Sequence, residues 1–544
     1  MKILAAQINP TIGDIPGNTR KIIAVLKRGK EKGADIVLLT ELAVSGYFPD
    51  DLLLDPSFIE ACEKSLEEIA KATKGLFAIV GLPRKNPEGK EKPLFNSAAI
   101  FQDGKLLGFK DKTLLPTYDV FDERRYFEPG EAVSLWDYKG LKVAVTICED
   151  LWQGRDVGYT KYRINPIEEL REKRPDLVVN LSGSPYSFGR LETRASVFQR
   201  AAIQMKCPVI LCNQAGANDQ LVFDGHSLFF DKQGKLLQIA KGFVEEDLLI
   251  DLQQSPPPIE LKDAKIQDLY EALVTGVRDY LHKQGFKKAM LGLSGGIDSA
   301  VTACIAVEAL GADNVLALSL PSRFSSEGSK RDAQRLSSNL KIALKQVEID
   351  GVFQSYLDLL EPYFQGRAMD VTEENIQSRI RGATLMAFSN KFGYLLLNTG
   401  NKSEMAMGYT TLYGDMAGGL GVLHDVVKTR VYKLAAYINR RHPLIPQEII
   451  DKVPSAELRE NQTDFDTLPR FEILDPIIED YIEEGTQPSE IAVKRKFDLS
   501  LVKKIVSHIH AAEYKRRQTP ISIRVTQKSF NKGRIIPIVQ KWII

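Results

Sequence analysis

The strongest constraint on this chain is a recurring alternation of short apolar runs with stretches of helical spacing. In the first half the runs fall at 36–39, 77–80, 143–147, 177–179 and 209–211, each apolar at successive residues, Thr146 excepted, rather than at every second residue. A run of that kind reads as a strand covered on both faces, so the pattern predicts parallel sheets packed under helices. Gln253-Gln254-Ser255-Pro256-Pro257-Pro258 then breaks it. Three successive prolines lack the N–H groups that a helix or a central strand uses. Beyond them Ile266, Leu269, Tyr270, Leu273, Val274, Val277 and Leu281 recur at helical spacing, and a second alternation has runs at 289–293, 315–318, 346–349 and 394–397. With 544 residues the chain is too long for one core. The reading is an α/β chain of two modules, 1–252 and 263–544, joined by a proline-rich linker at 253–262.

Composition narrows the function classes. With 44% hydrophobic and 26% charged residues the chain is globular, and a formal net charge of +1 provides no field to recruit nucleic acid or a membrane surface. No stretch is apolar for the length of a membrane span, and Met1-Lys2-Ile3-Leu4-Ala5-Ala6 runs into a strand-like segment with no export signal. The five cysteines form no CxxC pair, which argues against a zinc site or a disulfide framework. The expected compartment is reducing and cytoplasmic.

The sharpest motif lies between the run at 289–293 and a helix expected from Ser299 to near Gly311. Ser294-Gly295-Gly296-Ile297-Asp298-Ser299 joins them. Two glycines let the backbone turn tightly and bring its N–H groups up to a phosphate, and the helix behind adds its positive end. It is not the GxxxxGK[ST] loop, since the Lys is missing and the glycine spacing differs.

These residues resemble the SGGxDS loop of the ATP-pyrophosphatase, or PP-loop, superfamily. The resemblance implies a Rossmann-like parallel sheet of the adenine nucleotide α-hydrolase type and transfer of AMP to a substrate oxygen, with release of pyrophosphate. It also implies that Gly292, Leu293, Ser294, Gly295, Gly296, Ile297, Asp298 and Ser299 cradle ATP, with Asp298 open to a magnesium ion. Pro321-Ser322-Arg323-Phe324-Ser325-Ser326, Glu373-Glu374-Asn375-Ile376-Gln377-Ser378-Arg379, Asn398-Thr399-Gly400-Asn401-Lys402-Ser403-Glu404, Gly414-Asp415-Met416-Ala417-Gly418-Gly419 and Lys515-Arg516-Arg517-Gln518 are similar to the NAD synthetase pattern. By that resemblance Thr399 contacts ATP, Glu404 serves both Mg2+ and the dinucleotide, and Asn375 and Lys515 contact deamido-NAD. Lys428 is a further candidate for holding phosphate or developing charge.

In the first half, Glu41 follows the run at 36–39, Lys112 precedes Thr113-Leu114-Leu115-Pro116-Thr117-Tyr118, and Cys148 follows the run at 143–147. Singly, a cysteine at a strand end is core packing and the two charges are surface residues. Together they supply a base for the thiol proton and a cation that favours thiolate and oxyanion. Thr40-Glu41-Leu42-Ala43-Val44-Ser45-Gly46-Tyr47, Ile147-Cys148-Glu149-Asp150-Leu151-Trp152, and Lys112 with Phe121-Asp122-Glu123-Arg124-Arg125-Tyr126-Phe127 resemble the nitrilase (carbon–nitrogen hydrolase) superfamily, nearest to glutaminase domains fused to NAD synthetase. That implies an α-β-β-α sandwich, with Glu123 orienting Lys112 and Tyr118, Ser184 and Arg190 holding L-glutamine. It implies too a homo-oligomer, an octamer being one form, with ammonia passing from Cys148 to the second site. Cys62, Cys207, Cys212 and Cys304 read as structural.

Three other functions fit part of the pattern. A PP-loop enzyme with another acceptor, as in GMP or asparagine synthesis or tRNA thiolation, calls for a different glutaminase type and a nucleic-acid patch; the Glu–Lys–Cys set and the near-zero charge argue against both. A nucleotide-binding scaffold without catalysis would tolerate loss of Cys148 or Asp298, and both are present. An independent amidase with a structural second half ranks below these.

Overall fold

Why the apolar runs are continuous is visible in the strands they form. The computed structural model describes every residue except 88, 90, 132, 153–161 and 543–544. Contacts divide the chain into two units, Met1–Lys265 and Ile266–Ile544. In the first unit the strands are β1 (Lys2–Gln7), β2 (Ile36–Leu38), β3 (Phe77–Lys85), β4 (Leu94–Gln102), β5 (Lys105–Asp111), β6 (Leu135–Tyr138), β7 (Leu141–Ile147), β8 (Leu177–Ser182), β9 (Val209–Asn213), β10 (Ala215–Asn218), β11 (Leu221–Asp224), β12 (Leu228–Phe230), β13 (Leu236–Ile239) and β14 (Glu246–Asp251). They build two six-stranded sheets, β14-β1-β2-β3-β4-β5 and β13-β12-β9-β8-β7-β6, and a β10-β11 ribbon.

Ile3, Ile36, Phe77 and Ile79 of one sheet share a buried cluster with Val143, Val145, Leu177 and Val179 of the other. The alternate residues Leu4, Val37, Ala78 and Val80 face helices Ile15–Glu31 and Pro56–Ala72. On the far side Ala144, Val178 and Val209 face helices Pro166–Lys173 and Arg190–Met205. The central strands are therefore covered on both faces, which gives the nitrilase-type α-β-β-α sandwich. Fully burying one such Ile, Val or Phe contributes about 1.5–3 kcal/mol, so both faces hold the register.

The sheets are mixed rather than parallel. β1–β2–β3 and β7–β8–β9 run parallel, whereas β3–β4, β4–β5 and β6–β7 pair antiparallel. The hairpins turn at Asp103-Gly104 and Lys139-Gly140, each with both residues at positive φ (48° and 85°, then 53° and 80°). That is the turn which suits the strand twist, and Asp-Gly is its sequence mark.

The second unit carries β15 (Ala289–Gly292), β16 (Val315–Ser319), β17 (Ala343–Gln346), β18 (Leu395–Asn398) and β19 (Leu420–Gly421). They form one parallel sheet in the order β17-β16-β15-β18-β19. The strand expected at 346–349 lies earlier: β17 ends at Gln346, and Ile349 is the N-cap of helix Asp350–Phe364. β17 is a largely exposed edge strand, so its apolar neighbours at 347 and 349 misplaced it. The chain steps outward from β15 to β16 and β17, then returns to β18 on the other side of β15. Loops after β15 and β18 consequently face one crevice at the strands' carboxyl ends, where open α/β sheets bind ligands. Among the described residues no helix is long and apolar enough to cross a membrane.

Candidate functional site

In the first unit, parallel strands from both sheets end at one buried cluster. Glu41 lies beyond β2, Lys112 follows β5 and Cys148 follows β7. Glu41 and Lys112 have no exposed surface and Cys148 is 4% exposed. Lys112 Nζ donates to Glu41 Oε1 and to Glu123 Oε1, both at 2.7 Å. Glu41 also accepts from Asn96 Nδ2 at 2.9 Å and from the Gly183 N–H at 2.8 Å, while Tyr47 OH donates to Glu123 Oε1 at 2.9 Å.

Burial opposes the charge on Lys112, but Glu123 and Glu41 outweigh it and hold the ammonium well above its ordinary range. Burial, with Lys112 opposing and Glu41 adding, pushes the Glu123 carboxyl up to about 7. Burial and the Glu41 charge push the Cys148 thiol up, against Lys112. At rest the cluster holds a protonated thiol beside an ammonium clamped by two carboxyl groups.

The turn that presents Cys148 is strained, with φ +41° at a non-glycine residue. Asp150 holds it, accepting from Ile147 N–H at 3.0 Å and from Thr113 and Leu114 N–H at 3.0 and 2.9 Å. One carboxylate thus fixes the Cys148 turn to the segment that follows Lys112. Tyr118 OH and Tyr162 OH donate to Glu149 Oε1 at 2.8 and 2.9 Å. The Arg190 guanidinium stacks 4.2 Å over the Trp152 ring, and burial lowers its pKa. Ser184 N–H donates to Asn213 Oδ1 at 2.9 Å. Glu149 and Asn96 were missed in the sequence; Glu149 adjoins Cys148, and Asn96 carried no signal.

In the second unit a cavity of about 320 Å³ lies over the β15–β18 crevice, bordered by Gly292 to Ser299, Thr399, Glu404, Lys428 and Asp464. Gly295 has φ +81°, and a Cβ there would stand 2.4 Å from the Ser329 carbonyl oxygen, so only glycine fits. Gly296 is the N-cap of helix Ile297–Leu310. Ser299 Oγ accepts from Ser294 N–H at 3.3 Å and donates to Gly296 O at 3.0 Å, bracing the loop.

Asp298 accepts from Asn401 Nδ2 at 3.0 Å and from Lys428 Nζ at 2.5 Å. Lys428 Nζ also stands 3.8 Å from Glu404 Oε1. Burial and the neighbouring Asp298 push the Glu404 carboxyl up to about 8, with Lys428 opposing. Among the described residues no group of three or more His, Cys, Asp or Glu could hold a metal alone. An Asp298–Glu404 pair that repels itself fits Mg2+, which takes one or two carboxylates and completes its shell with water and substrate phosphates.

Asn375 and Lys515 do not border that cavity. Asn375 Oδ1 accepts from Thr411 Oγ1 at 2.7 Å, and Lys515 Nζ donates to Gly408 O and Thr410 O, both at 2.7 Å. Both hold the stretch 408–415, whose Tyr409, Thr410, Gly414 and Asp415 do border it. Asp464, not singled out from sequence, joins the Asp298–Glu404–Lys428 group through its charge.

The carbon–nitrogen hydrolase family model matches residues 2–255, and the NAD synthase family model matches 269–519. The glutamine-dependent NAD(+) synthetase of Synechocystis sp. is 44% identical over 549 residues, covering 99% of this chain and 98% of that one. That of Thermotoga maritima is 40% identical over 587 residues, covering 100% and 99%. The solved glutamine-dependent NAD+ synthetase of Acinetobacter baumannii, in complex with ADP, superposes with a TM-score of 0.78 at 37% identity, covering 99% and 98%. Two half-matches in one chain, and full-length relatives well above 30% identity, agree on a chain of two domains. The chain belongs to the glutamine-dependent NAD(+) synthetases, ligases that consume ATP and take their amide nitrogen from glutamine.

Proposed function

We propose that the Cys148 site hydrolyses L-glutamine and that the 292–299 loop site adenylates deamido-NAD, the released ammonia passing from the first to the second. The observation that carries the reading is Lys112, fully buried and clamped by Glu41 and Glu123 beside Cys148. As the thiol sulfur attacks the carboxamide carbon, its proton moves to Glu41 while Lys112 stabilises the oxyanion. The tetrahedral intermediate collapses, and the leaving nitrogen takes the Glu41 proton and departs as ammonia. Glu41 then accepts a proton from the water that cleaves the thioester, which releases glutamate and restores the thiol. Tyr118, Ser184 and Arg190 hold the substrate's amino-acid end, a half-buried guanidinium being suited to its carboxylate.

In the second unit the loop N–H groups and Thr399 hold ATP. The deamido-NAD carboxylate attacks the α-phosphorus, pyrophosphate leaves, and ammonia displaces AMP from the resulting NAD-adenylate. Asp298 and Glu404 would hold Mg2+, which supplies charge stabilisation to the phosphates when bound. Lys428 steadies the same charge. Asn375, Glu404 and Lys515 order the dinucleotide side, the first and last through the stretch 408–415. The working form is a cytoplasmic homo-oligomer. Replacing Cys148 tests the division of labour: Cys148→Ala loses glutamine-dependent NAD formation and keeps ammonium-dependent formation. Equal loss with both nitrogen sources, in folded protein, rules out separate sites.

A further inference from the structure

The glutaminase cluster contains one buried amide that the mechanism does not use. Asn96 sits within β4, 1% exposed, opposite Pro83 of β3. Its Nδ2 lies 2.9 Å from Glu41 Oε1 and 3.5 Å from Glu123 Oε2. Its Oδ1 has no hydrogen-bond partner among the described residues. The opposite amide orientation would set that oxygen against two carboxyl groups, so the carboxyl groups decide the orientation and the acceptor goes unmatched. An unmatched buried acceptor is a standing cost, retained only where the donor side does something in return. The main chain of the same residue holds the other charge: Lys112 N–H donates to Asn96 O at 2.8 Å. One residue therefore fixes both base and cation.

Resting on the reading of Glu41 as the glutaminase base, we infer that Asn96 is a positioning residue that holds the Glu41 carboxyl group aimed at the Cys148 proton. Two carboxyl groups share one ammonium here, so the net charge inside the cluster is unfavourable unless neutral donors share it. Asn96 Nδ2, Gly183 N–H and Tyr47 OH are those donors. Of the three only Asn96 reaches both carboxyl groups. The titratable groups facing Glu41 are Lys112, Glu123, Tyr47 and Cys148, with Glu149 beyond them.

The test uses Asn96→Leu, which keeps the branching at Cγ and removes the donor, in the full-length chain. Glutamine-dependent turnover is measured against pH, with ammonium-dependent turnover and thermal unfolding alongside. Loss of a charge-assisted hydrogen bond moves the acidic limb of the glutamine-dependent profile up by about one to two pH units. At neutral pH kcat drops about tenfold or more, while KM for glutamine and ammonium-dependent turnover hold. An unmoved limb with a lower unfolding temperature assigns Asn96 to packing and overturns the inference. If Asn96→Leu does not fold, Asn96→Ala gives the same readout: the donor is again lost without a new charge and the limb moves up, and an unmoved limb overturns the inference. Cys148→Ala separates the two failures, because glutamine-dependent turnover surviving there defeats the glutaminase reading itself.

Discussion

Lys428→Met isolates what one ammonium does for the synthetase site. The side chain is 2% exposed, 2.5 Å from Asp298 and 3.8 Å from Glu404. Methionine keeps most of the apolar stem contacts, so the change is chiefly one of charge. Glu404 sets the pH dependence. Burial first, then Asp298, pushes its carboxyl up to about 8 from an ordinary value of 4.5, even with Lys428 opposing. A carboxyl raised on folding contributes stability that is complete below its unfolded value and is lost as pH rises to the folded one. Near pH 6 Glu404 therefore carries its proton in both proteins, and the variant loses only the Asp298 pair, about 2 kcal/mol. At pH 9 the wild type holds two carboxylates with one ammonium between them, whereas the variant must either keep a proton on Glu404 against the solvent pH or leave both carboxylates uncompensated, about 3–5 kcal/mol. For a unit of this size the unfolding temperature should fall by roughly 6–12 °C at pH 9 and about half that at pH 6. Calorimetry without nucleotide reads this, the second unit's transition being the one that ATP shifts upward. A fall that is equal at the two pH values, or larger at pH 6, refutes the assignment of Lys428 as the cation that offsets Glu404.

Gly295→Ala forces a Cβ to within 2.4 Å of the Ser329 carbonyl at a φ of +81°; NAD formation with either nitrogen source is lost while glutamine hydrolysis persists, and normal ATP binding by calorimetry would contradict this. Asp475 accepts from Ser403 Oγ at 2.5 Å and from Thr429 N–H at 2.7 Å, capping the helix Lys428–Arg441, whose own N-cap residue Val427 makes no side-chain cap. Asp475→Ala costs about 1–2 kcal/mol of stability and slows ammonium-dependent turnover; a wild-type rate would show that Lys428 is placed without it.

What the sequence disclosed about the fold follows from how burial is encoded. Strands covered on both faces, such as Val143-Ala144-Val145-Thr146-Ile147, are continuous apolar runs and stand out. β5, with its first three residues exposed, and β17, an exposed edge, do not. The β4–β5 and β6–β7 hairpins were announced only by Asp103-Gly104 and Lys139-Gly140, a two-residue signal that parallel-run reasoning passes over. The same asymmetry governs the site. Glu41 and Cys148 lie just past parallel strands, and Thr399 and Glu404 just past β18, where topology delivers ligand-binding residues; that position together with the surrounding motifs made them candidates. The groups that make those residues work arrive by other routes: Asn96 from mid-strand β4, Glu123 from a short turn of helix, Asp475 from a helix 72 residues beyond Ser403. A buried carboxylate and ammonium cannot persist without further donors and acceptors, so proposing Glu41 and Lys112 as internal already requires such partners to exist. Burial chemistry fixes how many are needed. Only the three-dimensional path of the chain decides that the neutral donor reaching both Glu41 and Glu123 is an asparagine from β4.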